Sequence, residues 1–146
     1  MAKQMRQALG LISAVLAYYL IHEGAHLIYA LTIGVFKQIN LMGLIGAQIE
    51  IDSVSMTDSQ LEMFCLVGSV ATAITAYLLV LVAGRIGAIY SKVLKACLYY
   101  ITIIMLFADP LYLGVLFKLF GGGDMYGISL LIPQRVAKVS TVQYFF

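Results

Sequence analysis

Charge is scarce in this sequence. Charged residues make up 11% of the chain against 62% apolar, and the mean hydropathy is +0.98, far outside the range of soluble domains. The scarcity excludes an ordinary soluble domain and reads as an integral membrane protein, multi-pass and placed in the cell membrane, with the lipid bilayer as its solvent. No hydrophilic stretch is long enough to fold by itself, so residues 1–146 read as one transmembrane domain. No basic run is interleaved with aromatics and the formal net charge is only +2, which leaves nucleic acid without support as a partner. The two cysteines, Cys65 and Cys97, lack CxxC spacing and sit inside apolar runs, a pattern that fits space filling better than a disulfide or a metal site. There is no internal repeat and no low-complexity segment.

What is present is a set of long apolar runs. Residues 9–36 carry no charge except Glu23, and at about 1.5 Å per residue they exceed a hydrocarbon core of roughly 30 Å. The run is too long, and too polar at its middle, for a cleavable signal peptide. A second uncharged run covers residues 63–84. A third covers 96–117, where Asp109 and Pro110 are expected to break the helix. Gly121, Gly122 and Gly123 then precede Asp124 and a shorter apolar piece, "MYGISLLIP", which suits a half-helix and a fourth, incomplete crossing. Between the first two runs, Gln48, Glu50 and Asp52 alternate with Ile49 and Ile51, the period of a strand. The expected fold is therefore all-α, with three to four transmembrane helices and a short β-hairpin-like insertion after the first. Lys3, Arg6, Arg85, Lys92 and Lys95 suit the cytoplasmic side and the acidic hairpin the outside. Arg135 and Lys138 would then need a further crossing, so orientation stays open.

The chain has two histidines, His22 and His26, four residues apart inside the first run, with Glu23 directly after the first. Residues four apart share one helical face, so both imidazoles can meet one metal ion. Zinc accepts neutral imidazole, and a catalytic zinc has three protein ligands and one position left for water, whose pKa it lowers to about 7. Glu23 is placed to take the proton of that water. The bland alternatives are satisfied packing groups or haem ligands. Three polar groups in HExxH spacing cost a few kcal/mol each in lipid, and haem leaves Glu23 without a role. The acidic residues beyond the second run are Asp109 and Asp124. Asp124 is the preferred third ligand, because the glycines before it allow close backbone approach; a helix cap is its other reading. Asp109 suits an outer partner that hydrogen-bonds a ligand.

These residues carry a resemblance. HEGAH within a transmembrane helix, the hairpin-like "GVFKQINLMGLIGAQIEI", then "GSVATAITAYLLV" and the late "ADP" and "GGGDMYGI" together resemble the site-2 protease family of intramembrane zinc metalloproteases, peptidase family M50, over nearly the whole chain. "GSVAT" is similar to the family's GPxxN segment with Ser69 and Thr72 in place of Pro and Asn. Pro110 stands far upstream of Asp124, and Met125 replaces the glycine after the aspartate, as in a minimal, divergent branch. The resemblance implies hydrolysis of peptide bonds in or near a transmembrane segment of a protein substrate, with Zn²⁺ on His22, His26 and Asp124. Such a bond is shielded by helical hydrogen bonds until the segment unwinds. An edge strand at Gln48, Ile49, Glu50 and Ile51 can offer replacement partners for the unwound backbone. Two other classes remain: an inactive M50-like membrane binding protein, and a metal- or haem-binding subunit of a membrane complex. The pattern does not indicate an oligomeric state.

Overall fold

The computed structural model describes residues 2–42, 46–116 and 124. The chain opens with a long helix, α1 (Lys3–Thr32), followed by an antiparallel hairpin of β1 (Phe36–Met42) and β2 (Gly46–Ile51). After a 3₁₀ turn come α2 (Asp58–Leu81), the short α3 (Ala83–Gly87) and α4 (Lys92–Leu111), which runs on into a π-helical turn at Tyr112–Leu116. Three helical segments, Lys3–Thr32, Asp58–Leu81 and Lys92–Val115, are long and apolar enough to cross a membrane. The "MYGISLLIP" piece and its possible fourth crossing lie outside the described residues.

The helices pack through small and polar residues and turn their large apolar side chains outward. On α1 the inward row is Gly10, Ala14, Tyr18, His22, His26 and Ala30, every fourth residue, of which only Tyr18 is half-buried. The inward residues of α2 include Gly68, Thr72 and Ala76, again four apart. Leu16, Leu20, Ile28, Leu81 and Phe107 are at least 57% exposed. Lipid supplies no hydrophobic drive between helices, so close approach of small residues and interhelical hydrogen bonds are the interactions left to hold such a bundle. Contacts of Gly10 with Tyr100 and of Tyr18 with Asp109 make α1 and α4 parallel, whereas His26 against Phe64 sets α2 antiparallel to both.

Two boundaries differ from the sequence expectation. The first apolar run extends to Phe36, but the helix stops at Thr32. Gly34 adopts φ 75°, Val35 N–H donates to Ala30 O and Gly34 N–H to Leu31 O, a Schellman turn that satisfies the last carbonyls. Apolarity continues past the turn because Val35 is itself buried beside Ala30, Ile49, Phe64 and Cys65. The expected break at Asp109 and Pro110 is also absent: α4 continues through both. Proline removes one backbone donor and crowds the preceding turn; here the helix widens into the π turn one residue after α4, and Tyr112 N–H reaches the carbonyls of Ala108 and Asp109.

Strand alternation is present as expected over Gln48–Ile51, while Asp52 lies just past the strand, its N–H donating to Val35 O. Ile49 is 7% exposed and seats the hairpin on the bundle, a burial that contributes about 2 kcal/mol relative to leaving the side chain in water. Glu50, on the opposite face, accepts hydrogen bonds from Asn40 and Gln38 at 2.8 Å, which hold its carboxyl below the ordinary glutamate value. A capping box between Thr57 and Gln60 starts α2.

Candidate metal centre

The inward row of α1 delivers both histidines to the centre of the bundle. Their Nε2 atoms face each other at 3.3 Å, and Asp124 Oδ2 lies 3.3 Å from that of His22 and 3.7 Å from that of His26. Three acceptor-bearing groups thus converge on one point, and together they could hold a metal ion. Tetrahedral coordination with metal–nitrogen distances of about 2.0–2.1 Å separates neighbouring donors by about 3.3 Å. The triangle formed by His22, His26 and Asp124 has that size.

Asp109 lies on the far side of His22. Its Oδ1 accepts a hydrogen bond from Tyr18 Oη at 2.6 Å and stands 3.4 Å from His22 Nδ1, close enough for an ion pair but outside hydrogen-bond geometry. Its Oδ2 accepts from Thr72 Oγ1. A carboxylate only 5% exposed would cost several kcal/mol without partners; here donors from α1 and α2 meet it on α4. The Tyr18 ring also stacks on His22, centroids 5.3 Å apart, so the imidazole is packed on one face. The two candidate aspartates therefore stand on opposite sides of His22, Asp124 by its Nε2 and Asp109 by its Nδ1.

Neither Tyr18, Thr72 nor Gly68 was singled out as a site residue by the sequence reading. Tyr18 stands one helical turn before His22 on the same row, which is the signal that could have found it. Gly68 matters through what it lacks: a Cβ there would lie 2.5 Å from His26 Nε2 and 2.8 Å from His22 Nε2. Only a glycine lets α2 pass this close to the donor atoms. Phe64, one turn away, packs on the His26 ring at 4.7 Å.

Glu23 points around the helix from this triangle. It shares a cleft of about 570 Å³ with Tyr18, His22 and Asp124, walled on the α4 side by Ile103 and Phe107, both more than half exposed. The cleft thus opens on the apolar flank between α1 and α4. Glu23 also lies close to the backbone of Ile49 in β2. Because Asp52 N–H points to β1, alternation turns the Ile49 N–H to the other edge of β2, and that edge faces Glu23.

Replacing Asp124 with alanine is expected to weaken metal binding far more than replacing Asp109, since loss of an outer partner costs about 10-fold to 100-fold and loss of a donor costs more. Competition with a chelator measures both; the reverse ranking would move the donor role to Asp109.

Comparison of the chain with protein-family models, with curated proteins and with solved structures finds no match.

Proposed function

We propose that this chain is a multi-pass intramembrane zinc metalloprotease that hydrolyses peptide bonds in or near transmembrane segments of protein substrates, within the cell membrane. The observation that carries the reading is the donor triangle of His22, His26 and Asp124 beside Glu23, in a cleft open to the apolar flank of a bundle whose helices can span a bilayer. The resemblance of HEGAH and the later motifs to the site-2 protease family agrees with it. Zinc held at the triangle supplies Lewis-acid activation of water and stabilisation of the developing oxyanion. The haem alternative has less support, because two Nε2 atoms at 3.3 Å leave no plane for a porphyrin between them.

The chain's own groups do the rest. Asp109, with Tyr18 and Thr72, keeps the His22 ring in position. Glu23 accepts the proton of the attacking water as the new C–O bond forms and returns it to the nitrogen as the C–N bond breaks. The lateral cleft admits a chain from the lipid side. The outer edge of β2, with backbone groups of Ala47, Ile49 and Ile51 facing away from β1, is placed to pair with an unwound substrate close to Glu23.

Metal analysis of the purified protein tests the reading first: about one zinc per chain is expected, lost on His22→Ala or His26→Ala. Incubation with single-span peptides in lipid vesicles is then expected to give chelator-sensitive cleavage. Zinc without cleavage of any such peptide would support a binding protein instead. Ile49→Pro or Ile51→Pro removes an edge donor and is expected to impair cleavage with zinc content unchanged; full cleavage by both variants would reduce the hairpin to a connector.

A further inference from the structure

At the end of the bundle opposite the hairpin, α1 and α4 begin side by side. Between their first turns lies a groove of about 390 Å³ lined by Lys3 and Arg6 of α1 and Lys92 and Lys95 of α4, with Tyr99 and Tyr100. The Tyr100 ring forms its floor by lying against Gly10, where a Cβ would be 2.5 Å away. All seven acidic residues of the chain, Glu23, Glu50, Asp52, Asp58, Glu62, Asp109 and Asp124, lie at mid-bundle or toward the hairpin end. Among the described residues the one ion pair made by a lysine or arginine is Lys37 with Asp52, at that other end. Lys95 reaches only the Gly87 carbonyl, at 2.6 Å. Four cations therefore line one groove with no carboxylate beside them among the described residues.

We infer that this groove binds the phosphodiester headgroup of an anionic phospholipid. A cluster of like charges of this kind is a ready site for an anion, and several features favour phosphate on a lipid. Lysine and arginine donate to phosphate oxygens as charged hydrogen-bond donors, and both helices present their positive dipole ends here. The α1 N-cap, Ala2, offers no side-chain acceptor to the first N–H groups. Tyrosine hydroxyls beside the cations suit the headgroup level of a bilayer. One turn beyond Tyr99 on α4, Ile103 is 54% exposed and offers apolar surface for an acyl chain. The inference rests on the helices crossing a membrane and is independent of the metal centre.

The test uses the full chain in detergent and in nanodiscs, with phosphatidylglycerol, phosphatidylcholine and inorganic phosphate as probes. Native mass spectrometry is expected to show preferential retention of phosphatidylglycerol over phosphatidylcholine. Each basic side chain near an anionic surface is worth about fivefold in affinity, so Arg6→Gln should lower retention by about that factor. The quadruple variant Lys3→Gln, Arg6→Gln, Lys92→Gln, Lys95→Gln should abolish the preference with helicity by circular dichroism unchanged. Lys3→Arg with Lys92→Arg and Lys95→Arg should keep it. Should the quadruple variant unfold, the single Arg6→Gln comparison still decides. Equal retention of the two lipids by the wild-type chain, or wild-type retention by Arg6→Gln, overturns the inference. Inorganic phosphate displacing phosphatidylglycerol as an equal competitor also overturns it, by assigning the groove to a soluble anion.

Discussion

Glu23→Gln is expected to lose turnover by a factor of about 10²–10⁴ while retaining its zinc. Glutamine keeps the length and shape of the side chain, and the hairpin stays docked through the buried Ile49. It cannot accept the proton of an attacking water. The donor triangle is untouched, because Glu23 is not one of the three groups that converge at 3.3–3.7 Å. The required pairing is metal retained with cleavage lost, read by metal analysis and by cleavage of a single-span peptide that the wild-type chain processes. Wild-type turnover would remove Glu23 as the base. Loss of both together would mean that Glu23 supports the site through its contact with β2.

Gly68→Ala is expected to expel the metal, with an affinity loss above the 10-fold to 100-fold typical of a lost outer partner. A methyl group 2.5 Å from His26 Nε2 and 2.8 Å from His22 Nε2 overlaps both donors, and two rings packed against Tyr18 and Phe64 have little room to retreat. Either α2 moves away, breaking the Thr72 to Asp109 hydrogen bond, or the imidazoles turn from their common point. Gly84→Ala is the control, since nothing lies within 4 Å of a Cβ there and alanine is the better helix former. Unchanged zinc content in Gly68→Ala would show that α2 does not bound the site this closely.

Much of this was legible in the sequence because it is local. HExxH places two rings on one helical face wherever the helix forms, and the alternation of Gln48, Ile49, Glu50 and Ile51 specifies a half-buried strand without knowledge of its neighbours. Asp124 was reachable from the glycines before it. The end of α1 was not, since Ile33, Val35 and Phe36 are as apolar as a spanning helix, and only the packing of Val35 beside Ile49 shows why the chain turns at Gly34. Pro110 misled for a related reason: in a bundle the freed backbone groups can be satisfied by a wider turn, so the proline bends the geometry without ending the helix. Thr72 meets the site only through Asp109, 37 residues away, and no periodicity within one helix reports such a partner; for Tyr18 the α1 row points to His22 but not to Asp109, 91 residues away.

The Schellman turn at Gly34 divides the centre by sequence distance. His22, Glu23, His26 and the Ile49 N–H belong to one continuous stretch that folds back on itself through this turn, so their mutual arrangement needs only short loop closures. Asp124 joins His22 across 102 residues, a closure with a larger entropic cost and one that follows the docking of α2 and α4. His22, Glu23 and His26 are therefore expected to be organised before Asp124 joins them. A metal ion at the triangle would then act as a staple between the two ends of the folding sequence, transferring its binding free energy to the closure that the bare chain makes least easily.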